Sequence, residues 1–176
     1  EMTSAADVEV GMVADCALGV EAVVEALAGR TLASAGSGWV DGLRKDAAKN
    51  EAAIAEQMAS DEEPINHYRL LRDIRDAIPR DVNVSVDAEM TMGVARAVLP
   101  AYNPRALLNS GTTGCMGTGV PYALGAKLAM PDRPSVAVIG DYAFGAAAME
   151  VETAARVGAN VVFVISNNGG IAGHSI

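Results

Sequence analysis

The 176 residues carry 13 Lys and Arg against 22 Asp and Glu, a net charge of −9, with 51% hydrophobic and only 4% aromatic residues. That balance describes an acidic globular chain of about one domain, and its sign disfavours binding to phosphate backbones or to anionic membrane surfaces. No apolar run approaches the roughly 18 residues of a spanning helix, the first residues lack a basic leader, and the chain is expected to be cytoplasmic. Cys16 and Cys115 are too few and too far apart for a disulfide framework or a zinc site, so they read as reduced, small core residues.

Taken in chain order, residues 8–13 alternate like a strand, and Asp15 is placed to cap a helix with Leu18, Val20, Val23, Val24 and Leu27 at helical spacing until Gly29. Residues 1–30 thus read as one β-α unit. A Ser/Gly stretch with Ser34, Gly36, Ser37 and Gly38 follows, then a charged, Ala-rich exposed helix over 41–58, so that 31–61 reads as a linker. Trp39 beside those glycines reads as an anchoring contact. Asn66 caps a helix carrying Tyr68, Leu71, Ile74 and Ile78, which Pro79 stops. His67 reads as a surface residue of that helix.

A strand at 82–86 ends in Asp87-Ala88-Glu89, followed by a helix over 91–99 and a short strand at 107–109. A glycine-rich turn over 111–119 opens a helix with Pro121 in its first turn. Two near-continuous apolar strands, 135–139 and 161–165, flank a helix expected over 146–156. Apolar strands alternating with helices imply an α/β fold with a parallel sheet covered on both faces, and ligands of such sheets sit at the carboxyl ends of the strands. The chain lacks an initiator Met and closes on a loop over 167–176, so it is expected to be part of a longer protein.

Both apolar strands end in turns with hard oxygen donors: Gly140-Asp141-Tyr142-Ala143 after the first, Ser166-Asn167-Asn168-Gly169-Gly170 after the second. A carboxylate, an amide oxygen and backbone groups exposed by glycine suit Mg²⁺ or Ca²⁺ holding a phosphorylated cofactor, with the helix expected from Ala146 aiming its positive end at the phosphate. Each turn taken singly also reads as ordinary turn chemistry. Gly117-Thr118-Gly119 with Asp141 imitates a dinucleotide-binding fingerprint, a rival NAD-dependent oxidoreductase reading, but Tyr122 stands at the third glycine position. Glu150 and Glu152 lie on different faces of their helix. Glu89 would repel a diphosphate, and His174 reads as a solvent-facing loop residue.

The pairing of Gly140-Asp141 with Asn167-Asn168 resembles the fingerprint of thiamine diphosphate-dependent decarboxylases, acetolactate synthases and carboligases. The resemblance implies Mg²⁺ held by Asp141, Asn168 and the carbonyl of Gly170, and a diphosphate held beside Gly140 by the N–H groups of Tyr142 and Ala143. Gly114-Cys115-Met116-Gly117 is similar to the segment in which a glycine carbonyl, here Gly114, receives the aminopyrimidine amine while an apolar residue, here Met116, wedges the cofactor into a bent shape. That bend brings the amine to the proton it removes.

Together with Asn109 to Gly117, Met149 to Thr153 and Asn167 to Ile171, the wording looks like the 2-hydroxyacyl-CoA lyase and oxalyl-CoA decarboxylase branch. The resemblance implies that 62–176 form the N-terminal part of a diphosphate-binding domain and that 1–30 end a Rossmann-like central domain. It implies cleavage of a 2-hydroxyacyl-CoA to formyl-CoA and an aldehyde or ketone. The alternatives are decarboxylation of oxalyl-CoA or an acetolactate synthase-like carboligation of 2-oxo acids. The activating glutamate would lie in an N-terminal domain outside these residues and act from a neighbouring subunit of a homodimer or homotetramer. Three positions depart from the pattern: Tyr142 replaces a small residue, Met90 an Asn, and Ala172-Gly173-His174 an aromatic segment.

Overall fold

A computed structural model gives residues 8–32 and 38–171, and at Glu89 the backbone alone. Expectations placed on Ser34, Gly36, Ser37, on Ala172, Gly173 and His174, and on the Glu89 carboxylate fall outside the described residues. The chain divides into two units, 1–47 and 48–176. In the first, α1 (Cys16–Leu27) is capped by Asp15, whose carboxylate accepts from the N–H groups of Ala17 and Leu18, and none of its residues is buried. Residues 8–15 form no strand. Alternation alone does not make a strand, because the backbone groups need a ladder partner, and none of the described strands pairs with this segment.

The dividing point falls within α2 (Trp39–Met58), and Trp39 at its start is exposed. In the second unit, α3 (His67–Ala77) starts at Asn66, whose side chain accepts from the Tyr68 N–H at 2.9 Å. There follow β1 (Asn83–Asp87), α4 (Glu89–Val98), β2 (Leu107–Leu108), a short 3-10 turn at Gly111–Thr113, α5 (Gly119–Ala129) and β3 (Ser135–Gly140). α6 (Asp141–Ala147), α7 (Glu150–Arg156) and β4 (Val161–Ser166) complete the described helices and strands. The single helix expected from Ala146 is therefore two: helix begins directly at the end of β3 and breaks around Ala148 and Met149.

All strand pairs are parallel, in the order β2-β1-β3-β4. The chain steps one way across the sheet from β1 to β2 and the other way from β3 to β4. Right-handed crossovers then require the connecting helices to lie on opposite faces, and the core divides accordingly. Leu71 and Ile74 of α3 and Val94, Ala95 and Val98 of α4 pack with Val84, Val86, Val136 and Val138 on one face. Val120 and Ala123 of α5 and Ala143 of α6 pack with Ala137 and Ile139 on the other. The reversal of direction between β1 and β3 creates a crevice at their carboxyl ends.

A set of charged contacts holds α3 against the residues that follow α2. Arg72 donates to the Met58 carbonyl and to Asp73, and Arg69 donates to the Ser60 carbonyl (2.7 Å), to Asp61 and to Asp73 (3.2 Å). The hydrogen bond from Arg72, with help from Arg69, holds the Asp73 carboxyl below the usual carboxylate range, partial burial opposing it. A depressed acid contributes stability above its unfolded pKa and loses it as pH falls through the folded one. Thermal unfolding across a pH series should therefore show the stability gap between wild type and Asp73→Asn present near neutrality and closing as pH falls below about 4. Added salt should shrink the same gap, because these side chains are partly exposed.

Candidate cofactor site

The crevice is a cleft of about 960 Å³ within the second unit. Its geometry follows from strand register: Asp87 pairs with Ile139, and Gly140 with Ser166, so β1, β3 and β4 end at one level and their turns open side by side. Of the residues picked out in the sequence, Gly114, Met116, Gly140, Asp141, Tyr142, Asn168 and Gly170 line this one cleft. Ala143 does not, since its side chain is fully buried against the second core. Met116 and Tyr142 are about half exposed.

Each turn is shaped locally. Asn109 accepts from the Gly111 N–H (2.8 Å), and Gly114 and Gly117 take φ of 66° and 89°, a region open to glycine at little cost. No atom stands within 4 Å of where a Gly114 Cβ would be, so its backbone is approachable. After β4, Asn167 accepts from the Gly169 N–H (3.0 Å), and Gly169 and Gly170 take φ of 83° and 140°. After β3, α6 starts at once, so that Asp141 stands in its first turn, five residues earlier than the helix expected from Ala146.

Asp87 organises the floor. It is 1% exposed, its Oδ1 accepts from the Ala88 N–H and its Oδ2 from the Gly119 N–H, both at 2.7 Å. Asp87 thereby satisfies an N–H at the start of α5 that no intrahelical carbonyl could. The same contact removes the rival dinucleotide site, because the Gly119 N–H and the space beside it are already filled by this carboxylate. Ala88 stands at φ 83°, ψ 141°, a conformation rare for residues with a Cβ. Its methyl lies 2.7 Å from where a Cβ on Gly140 would stand.

Several cleft residues were not read from the sequence as site residues. His67, expected on a helix surface, is half-buried, lines the cleft and shares a hydrogen bond with Ser166 at 2.7 Å. Thr91, Met92 and Arg96 of α4 form another wall. Nothing local marks His67, whose partner lies 99 residues away. The capping position of Asp87, opposite a helix opening on glycine, is a signal that could have been read. Cys16 and Cys115 are exposed rather than in the core, one opening the exposed α1 and the other in the glycine-rich turn.

Among the described residues no group of three or more His, Cys, Asp or Glu forms a metal centre. A cation here would need the Asp141 carboxylate, the Asn168 amide oxygen and the Gly170 carbonyl, a hard set with one charge. Such a set fits Mg²⁺ when a phosphate and water complete the shell, and Gly114, with open space beside its Cα, lines the same cleft.

Residues 88–173 match the family described as thiamine pyrophosphate enzyme, C-terminal TPP binding domain. The chain is 45% identical over 140 residues to a 2-hydroxyacyl-CoA lyase of Arabidopsis thaliana, a match covering 77% of this chain and 24% of the relative. It is 37% identical over 135 residues to an oxalyl-CoA decarboxylase of Escherichia coli, covering 76% of this chain and 24% of the relative. A solved structure of a thiamine diphosphate-dependent 4-hydroxybenzoylformate decarboxylase from Rhodococcus jostii RHA1 is similar with a TM-score of 0.56 and 27% identity, covering 60% of this chain and 20% of that one. This chain carries a thiamine pyrophosphate-binding domain of the thiamine pyrophosphate enzyme superfamily. It spans about a quarter of the length of the curated relatives it matches.

Gly140 has an ordinary φ of −68°, so only sterics bar a side chain there. Gly140→Ala should destabilise the chain by about 1–3 kcal/mol. Ala88→Gly in the same chain should recover part of the loss, giving non-additive urea midpoints in a double-mutant cycle.

Proposed function

We propose that the full-length protein is a thiamine diphosphate- and Mg²⁺-dependent carbon–carbon lyase that cleaves a 2-hydroxyacyl-CoA to formyl-CoA and an aldehyde or ketone. The observation that supports it best is the register of β3 with β4, which brings Asp141 and the Asn168–Gly170 turn into one cleft with Gly114 and Met116. In this reading Asp141, Asn168 and the Gly170 carbonyl hold the metal, and the N–H groups of Tyr142 and Ala143 beside Gly140 meet the diphosphate. The Gly114 carbonyl receives the pyrimidine amine, and Met116 supports the bend. When bound, the thiazolium supplies the electron sink for breaking the bond beside the thioester. The chain's own part is to orient the cofactor and exclude water from it.

The lyase is placed ahead of the decarboxylase because identity is higher to the plant 2-hydroxyacyl-CoA lyase than to the oxalyl-CoA decarboxylase. No described helix is long and apolar enough to cross a membrane, and the reading includes a cytoplasmic protein. The activating glutamate would come from an N-terminal domain of a neighbouring subunit in a homodimer or homotetramer. The test offers oxalyl-CoA and several 2-hydroxyacyl-CoA esters to the full-length protein with thiamine diphosphate and Mg²⁺, reading thioesters by mass spectrometry. Formyl-CoA with a carbonyl co-product is the expected result, and Asp141→Ala should lower its rate by at least about 100-fold, because loss of a metal ligand costs no less than the roughly 10–100-fold of losing an outer partner of one. Formyl-CoA with CO₂ would instead mark a decarboxylase, and no formyl-CoA from any thioester would move the assignment to a carboligase acting on 2-oxo acids.

A further inference from the structure

Ser166 is the last residue of β4 and the anchor of the turn that bears Asn168 and Gly170. Among the described strands β4 pairs on one side only, with β3. The inside of its turn is fixed locally by the bond from the Gly169 N–H to Asn167 Oδ1. The aim of the turn into the cleft starts from its anchor, and Ser166 is tied both by the ladder to Gly140 and through its Oγ, held 2.7 Å from His67 Nε2. Ser166 is 6% exposed, so its hydroxyl has little water to fall back on if that partner is lost.

His67 stands on a firm base. It is the first residue of α3, where the Asn66 cap and the bonds from Arg69 to the Ser60 carbonyl and Asp61 hold the helix start. The parity of β4 puts Ser166 with Val164 on the sheet face that α3 and α4 cover, which is why a residue so distant in sequence can reach it. We infer that His67, through Ser166, is a positioning residue that aims the Asn168–Gly170 turn into the cleft. This rests on the reading of that turn as a metal and diphosphate site. His67 itself makes no bond to cofactor or metal in this role; it acts by holding the last residue of β4, and with it the start of the turn.

The test uses the full-length protein and two readouts: thiamine diphosphate affinity by calorimetry at fixed Mg²⁺, and kcat at saturating cofactor. His67→Phe keeps a ring but loses the bond, His67→Gln keeps a polar partner for Ser166, and Ser166→Ala removes the other end. His67→Phe and Ser166→Ala should each weaken cofactor affinity by about tenfold or more, in the range for supporting partners of metal ligands, with kcat falling by less. His67→Gln should recover most of the affinity, and the Phe/Ala double variant should be no worse than either single. Unchanged affinity in Ser166→Ala, or additive losses in the double variant, would overturn the inference, and Ser166→Ala decides the matter should His67→Phe fail to fold. Asp141→Ala separates the two levels. If it abolishes cofactor binding while the His67 and Ser166 variants bind normally, only the positioning role falls; if it too binds normally, the site reading falls with it.

Discussion

Every feature of the cleft depends on three parallel strands ending at the same height. Asp87 lies opposite Ile139 and Gly140 opposite Ser166, so the turns that follow β1, β3 and β4 open together. A slip of one residue in any pair would send each side chain to the opposite face, placing valines where Asp87 and Ala137 now meet α5. The register is defended by contacts that admit nothing larger: a Cβ on Gly119 would stand 2.7 Å from that of Asp87, and one on Gly140 2.7 Å from that of Ala88. The strained backbone of Ala88 sits at this junction, where a parallel sheet changes direction and ligands are received.

Two carboxylates line the same cleft in different settings. Asp87 is buried, and both its oxygens accept backbone N–H groups, tying the strand end to the first turn of α5. Asp141 stands at the start of α6, and Asn168 and Gly170 lie on the neighbouring turn of the same cleft. A site with a single negative charge binds a divalent cation weakly unless an anionic ligand arrives with it. In the proposed reading, with Asp141, Asn168 and Gly170 as the ligands, that requirement would couple metal to phosphate.

Much of the second unit was legible in the chain itself. The apolar runs at 135–139 and 161–165 became β3 and β4, and Asn66 caps α3 as its spacing foretold. What was not legible had a nonlocal cause. Residues 8–13 alternate but pair with none of the described strands, and the continuous helical pattern after β3 conceals both an earlier start and a break. Exposure of the two cysteines likewise depends on what surrounds α1 and the glycine-rich turn.

The sequence by itself determined which residue types stand after each strand, and hence the chemistry available: one hard carboxylate, an amide, and glycines that let the backbone be approached. These are local properties, set by side-chain identity and turn conformation. Only the tertiary structure decided that these turns share a cleft, that Asp87 ties β1 to α5 while Asp141 lines the cleft from the start of α6, and that His67 reaches Ser166. Those facts depend on strand order and register, and both are fixed by long-range pairing and packing rather than by any neighbour along the chain.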